Sequence, residues 1–240
     1  MTMGENNKAM YGKMILDVVI GPLLESLEKK DKSSAQTLRA SFSKVDTTVP
    51  GFVHDFLRGI LKKADIQDHF DICETLLRLG DAQGYDEISN DELTASKTTP
   101  SGAAMHPSSK ELRLLRPEPS FQELNRCATN LKTILSRIPI QIDDRKQFLE
   151  TIKEIAGSIK HLLDAFNKVI AEIPGGDNGS KQILEDRKKE FVRYSKKFSN
   201  MLKAFFRDGS QRQSVFLSAN YLIFQTNVIL RTVKQETERE

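Results

Sequence analysis

The sequence predicts an all-α chain, with four short helices at the N-terminal end and an up-down four-helix bundle at the C-terminal end. Three observations predict it. Apolar residues recur every three to four positions over long stretches, the period of a helix with one buried face. The 13 glycines and 8 prolines are few for 240 residues, and they cluster between those stretches. The second half holds four such stretches separated by short breaks, for which an antiparallel bundle is the economical packing.

The first N-terminal stretch carries Met14, Ile15, Val18, Val19, Leu23, Leu24 and Leu27, with Pro22 placed to kink or split it. The second starts at the capping pair Ser33 and Gln36 and runs through Leu38, Phe42 and Val45. The third follows Pro50 and Gly51 with Phe52, Val53, Phe56, Leu57, Ile60 and Leu61, a stripe broader than one face. The fourth spans Ile66, Phe70, Cys73, Leu76 and Leu77, with Gly80 as its stop. Between Asp81 and Glu111 the periodicity vanishes, and six acidic residues face two basic ones among Ser, Thr, Gly and Pro. That composition predicts a flexible linker over 81–116, dividing an N-terminal domain (1–80) from a bundle (117–240).

In the bundle, Ser120 and Glu123 form a second capping box, followed by Leu124, Ala128, Leu131, Leu135 and Ile138 until Pro139. The next helix is expected from Asp143 to Ile173, through Phe148, Ile155, Leu162 and Phe166, and stops at Pro174-Gly175-Gly176. A third runs from Ser180 to Arg207 before Asp208-Gly209, and a fourth from Ser210 to Lys234. Within the last, the apolar run 215–224 resembles a strand, but the helical period continues past it.

The chemistry of an enzyme is missing from the sequence. It has no phosphate-cradling glycine loop, HExxH, CxxC or GxSxG. His69 and Cys73, spaced i,i+4, are two ligands where a structural zinc needs four. Asp143-Asp144 reads as a helix N-terminus. No cofactor or metal is therefore expected. The net charge of +3 gives no ground for a nucleic-acid partner. The most apolar N-terminal run is too short to span a bilayer, so a cytoplasmic location is expected.

One pattern occurs twice. Leu149, Lys153, Ala156, Lys160 and Leu163 share the spacing 4, 3, 4, 3 with Val192, Lys196, Ser199, Lys203 and Phe206. Each set occupies one narrow helical sector, with two lysines rimming an apolar stripe around a small residue. On antiparallel neighbours these sets would flank a channel suited to an acidic, leucine-bearing helix. Spacing alone equally fits lysine stems covering the edge of a bundle core. The third bundle helix also carries Arg187, Lys188, Lys189, Arg193, Lys196 and Lys197, so an anionic lipid surface is a rival ligand. The N-terminal domain is small for its apolar content, so it must dock on the bundle or pair with a second copy. The polar linker favours pairing.

Several stretches resemble the programmed cell death protein 10 (cerebral cavernous malformation 3) family. They are SAQTLRA (34–40), RPEP (116–119), FQELN (121–125), FLxTIKxIA (148–156), KKEFVxYSK (188–196) and SANxLIxQTN (218–227), in the family's order. The resemblance implies a non-enzymatic adaptor with an N-terminal dimerisation domain and a bundle like the focal adhesion targeting domain. It implies homodimers, or heterodimers with the tail of a group III germinal centre kinase, using Leu38, Ile60 and Leu61, with Ser41 in place of a family alanine. It also implies binding of leucine- and aspartate-rich helices, as in paxillin and malcavernin, at Lys153, Ala156, Lys160, Lys196, Ser199 and Lys203, beside Leu149 and Val192. Striatin complexes, and sites at the Golgi and plasma membrane, belong to the same expectation. The family's linker is shorter, so 85–112 reads as an insertion.

Overall fold

The computed structural model describes residues 3–80, 112–173 and 178–237, and every regular element among them is helical. The expected linker 81–111 and the turn at 174–177 lie outside the described residues.

Helix α1 (Met3–Ile15) runs into a π-helical segment, Leu16–Ile20, and then α2 (Gly21–Glu28). Here Pro22 splits the helix without ending it. Proline lacks an N–H, and its ring crowds the carbonyl four residues back. Widening the preceding turn, so that the Gly21 N–H donates to the Leu16 carbonyl, absorbs both effects.

Helix α3 (Lys32–Thr48) is capped by Asp31, not by the expected Ser33–Gln36 box. The Ser34 amide and hydroxyl both donate to the Asp31 carboxylate, which holds its pKa below the usual range. Helix α4 (Phe52–Lys63) begins after Gly51 at φ 89°, a left-handed conformation suited to glycine. A Cβ at Gly51 would also lie 2.9 Å from Cβ of Lys8, so α1 packs on that turn.

The fourth helix is shorter than expected. Asp65 takes φ 56° and stops the chain, Gln67–His69 forms a single 3-10 turn, and Ile66 is exposed. Helix α5 (Ile72–Leu79) restarts only where Asp71 caps the amides of Cys73 and Glu74 at 2.8 and 3.1 Å. His69 and Cys73 therefore do not share a helix. No group of three or more metal-ligating side chains occurs among the described residues.

The bundle consists of α6 (Pro119–Ser136), α8 (Arg145–Glu172), α9 (Asn178–Asp208) and α10 (Arg212–Thr237), with a short α7 (Ile138–Gln141) at Pro139. The Ser120–Glu123 box does not form. Ser120 donates to Glu172, and Glu123 pairs with Arg126 at 2.7 Å. Asp144 caps α8 at 3.0 and 3.1 Å, and Asp143 receives Arg212, so both acids are structural. Extensive seams join α6 to α8 and α9 to α10, while α8 and α9 meet more sparingly. Phe121, Phe148, Phe166, Phe191, Phe198 and Phe216 fill the interior. Leu112 and Leu114, expected within the linker, join this core, and Leu114 exchanges hydrogen bonds with Asn125.

The N-terminal helices dock on the bundle, against the expectation set by the polar linker. Met10, Met14, Ile15, Val53, Leu76 and Leu77 belong to one continuous core with the bundle. α5 packs directly on α10. Along α10, Asn220 donates to the Cys73 carbonyl at 2.8 Å and Tyr221 to Asn7 at 2.6 Å, while Gln213 donates to Asp71 and Arg231 to Asp17. α10 is the central helix: 15 of its 26 residues are buried, leaving a half-buried stripe through Leu217, Phe224, Val228 and Arg231.

Candidate partner-binding surfaces

Two surfaces stand out. The first lies on α3 and α4. α3 has 17 residues but buries only Ala35 and Asp46. Its apolar stripe, Leu38, Phe42 and Val45, continues through Val49 to Phe52, Phe56 and Ile60 of α4. Phe42 meets Phe56 edge-on at 5.8 Å, and Phe52 stacks on Phe56 at 6.0 Å. Leu38 is 42% exposed and Ile60 49%. Phe52 and Phe56 are exposed and Phe42 is half-buried, so these two helices leave an apolar, aromatic face open. Ser41 is exposed beside it, its hydroxyl turned back to the Thr37 carbonyl at 2.8 Å. Leu61 differs from its expected companions. At 8% exposure it already packs inside this chain and is not part of the open face.

The second surface is the channel between α8 and α9. Its register follows from two contacts. At one end the Phe148 ring packs on Phe205 and Phe206, with centroids 5.8 and 5.6 Å away. At the other, the Lys188 ammonium donates to Asn167 at 3.1 Å. The helices are thus antiparallel, and the two sequence patterns fall in step. Leu149 lies across from Phe206, Lys153 from Lys203, Ala156 from Ser199, Lys160 from Lys196 and Leu163 from Val192.

Ala156, Ser199 and the four lysines are exposed, whereas Val192, Leu163 and Phe206 are half-buried. Leu149 is 42% exposed. Ile152 and Ile159, half-buried and packed on the core, complete the apolar floor. Sequence reasoning missed them because they fall outside the repeated spacing, although each stands three or four residues from Ala156.

The charges sort themselves. Among the described residues Lys160, Lys196 and Lys203 have no carboxylate partner, and Lys153 has only Glu150 at 3.9 Å. The remaining basic run of α9 is paired along its own helix: Arg187 and Arg193 share Glu190, Lys188 pairs with Glu185 and Lys189 with Asp186. Lys197 sits over the Tyr221 ring at 5.4 Å.

A third cluster was not anticipated. Lys132 of α6 is 8% exposed, facing the Asp17–Arg231 pair where the lobes join. Burial depresses its pKa from the ordinary lysine value to about 8; Asp17 counters this and Arg231 adds to it. The sequence signal was there, since Lys132 stands four residues after Ala128 and three before Leu135, on the edge of the α6 stripe. The two cysteines are quiet: burial raises the Cys73 and Cys127 thiols to about 11.

An all-α body with an open apolar face on one lobe and a lysine-rimmed channel on the other has the form of a protein that holds other proteins. Among the described residues, no helix is long and apolar enough to cross a membrane. The family profile described as "Programmed cell death protein 10, dimerisation domain" matches residues 8–67, which include the α3–α4 face. The profile "Programmed cell death protein 10, C-terminal" matches residues 93–185. A relative from Caenorhabditis elegans, "Programmed cell death protein 10 homolog", is 31% identical over 236 residues, 95% of this chain and 96% of the relative. The chain belongs to the programmed cell death protein 10 family.

Proposed function

We propose that this protein is a non-enzymatic adaptor that self-associates through α3 and α4 and holds an amphipathic helix in the α8–α9 channel. The observation that carries the reading is the register of the channel. Two rungs of lysine, Lys153/Lys203 and Lys160/Lys196, flank a small rung, Ala156/Ser199, and these cations lack close internal partners. A helix with leucines on one face and carboxylates beside them neutralises the rungs and buries its leucines on Ile152, Ile159 and the small rung. Malcavernin-like and paxillin-like motifs have that chemistry. The α3–α4 face suits a second copy or the helical tail of a group III germinal centre kinase, and striatin assemblies are a further destination for such an adaptor. Against an anionic membrane stands the internal pairing of Arg187, Lys188, Lys189 and Arg193, which reduces the charge α9 offers lipid headgroups, although residues 181–208 keep nine basic against four acidic residues.

The test uses the full chain and a fluorescent acidic, leucine-rich helical peptide. Ala156→Asp places a carboxylate on the floor and should abolish binding at unchanged helicity. Lys153→Glu with Lys203→Glu should weaken binding and flatten its salt dependence. Folded Ala156→Asp protein that binds like the wild type would overturn the reading.

A further inference from the structure

The channel has a symmetry that neither helix shows alone. Because α8 and α9 are antiparallel and their patterns are in step, a two-fold axis through the Ala156/Ser199 rung maps one wall onto the other. Leu149 goes to Val192, Lys153 to Lys196, Ala156 to Ser199, Lys160 to Lys203 and Leu163 to Phe206. Each pair is matched in kind, and the small and lysine positions are matched in exposure. The axis reverses the direction of any helix lying in the channel while presenting it with the same order of rim and small residues; on the floor Ile159 maps to Leu202 but Ile152 maps to Ser195, a polar departure.

Electrostatics adds no strong preference. The walls are helices of 28 and 31 residues running in opposite directions, so their macrodipoles oppose each other. The outer flank departs from symmetry, since Glu150 corresponds to Arg193, and both are exposed. An exposed pair of that kind shifts an equilibrium by no more than about fivefold.

We infer that the α8–α9 channel accepts acidic amphipathic helices in both chain directions, with carboxylates seven residues apart engaging Lys153 and Lys160 in one direction and Lys203 and Lys196 in the other. This rests on the adaptor reading of the same channel. Seven residues of helix rise about 10.5 Å, the separation of the two lysine rungs along either wall. The occupant's direction is then set by which of its flanks carries the acids, not by its polarity, so one channel serves partners whose motifs read in opposite senses.

The experiment uses the full-length protein and an acetylated, amidated 15-residue helical peptide. Leucines occupy positions 1, 5, 8, 12 and 15, glutamates positions 4 and 11, and a nitroxide label the N-terminus. Paramagnetic broadening of the protein's backbone amides should appear at both ends of the channel, around 149/206 and around 163/192. Lys153→Glu with Lys160→Glu should confine it to one end, and Lys196→Glu with Lys203→Glu to the opposite end. Each double variant should lose affinity by about twofold or somewhat more, the weight of one binding mode. Broadening at the same single end in the wild type and both variants would overturn the inference, as would loss of binding in both variants, which would mean that both walls act at once. Failure of the wild type to bind the peptide would strike the adaptor reading itself.

Discussion

Replacing Lys132 by methionine should stabilise the protein, and the gain should depend on pH. Lys132 is 8% exposed and its pKa is depressed to about 8 by burial. In the unfolded chain lysine titrates near 10.4, and each pH unit of difference is worth about 1.4 kcal/mol. The buried ammonium therefore costs about 3 kcal/mol below pH 8, where both states are protonated. Between about pH 8 and 10.4 the unfolded state holds the proton and the folded state does not, so this cost disappears as pH rises. Cys73 and Cys127, with folded thiols near 11, act in the opposite direction over much of that range and flatten the wild-type profile. The comparison between variants isolates the lysine. Methionine keeps most of the stem's volume and leaves Asp17 with Arg231. Urea unfolding followed by circular dichroism should show Lys132→Met more stable by about 3 kcal/mol at pH 7, the gap closing by about pH 10. A gap that is constant with pH, or a methionine variant less stable at pH 7, would refute the argument.

Three further outcomes are expected. Leu38→Asp with Ile60→Asp should turn the self-associated protein into a helical monomer by light scattering, since each apolar side chain buried at the interface contributes about 1.5–3 kcal/mol; an unchanged mass would exclude the α3–α4 face. Gly51→Ala should cost about 1–2 kcal/mol in thermal or urea unfolding, because of its φ of 89° and the 2.9 Å approach of Lys8. Chain cut by protease between 81 and 111 should still elute as one species on size exclusion, because Met10, Met14, Leu76 and Leu77 share a core with α10; separate elution of the two pieces would contradict that docking.

Helical class and bundle order were legible because the 3.6-residue period survives over α6, α8, α9 and α10. Helix starts were less so. Ser33 and Ser120 carry the letters of a capping box, but Asp31 offers a stronger acceptor two residues earlier, and Ser120 finds Glu172 from another helix. Sequence reasoning cannot see a partner 52 residues away. The channel was visible as a doubled spacing, yet its meaning needed the register that Phe148 and Lys188 reveal. Lobe docking was misread because the composition of 81–111 says nothing about what α10 presents. Its buried Asn220, Thr226 and Asn227 look like surface residues in isolation. They lie inside because α10 is covered on one side by the bundle and on the other by α1 and α5.

That position of α10 has a consequence for synthesis. Among the described helices it is the last to leave the ribosome, and both lobes wait for it. Until it emerges, Met10, Met14 and Leu76 lack the α10 part of their packing, and α6 and α9 lack their shared neighbour. The nascent chain therefore carries exposed apolar surface through most of its translation, a period when chaperone capture or pairing of α3 and α4 with another chain competes with folding. A stop codon that removes α10 would deprive the N-terminal helices of their support as surely as it opens the bundle.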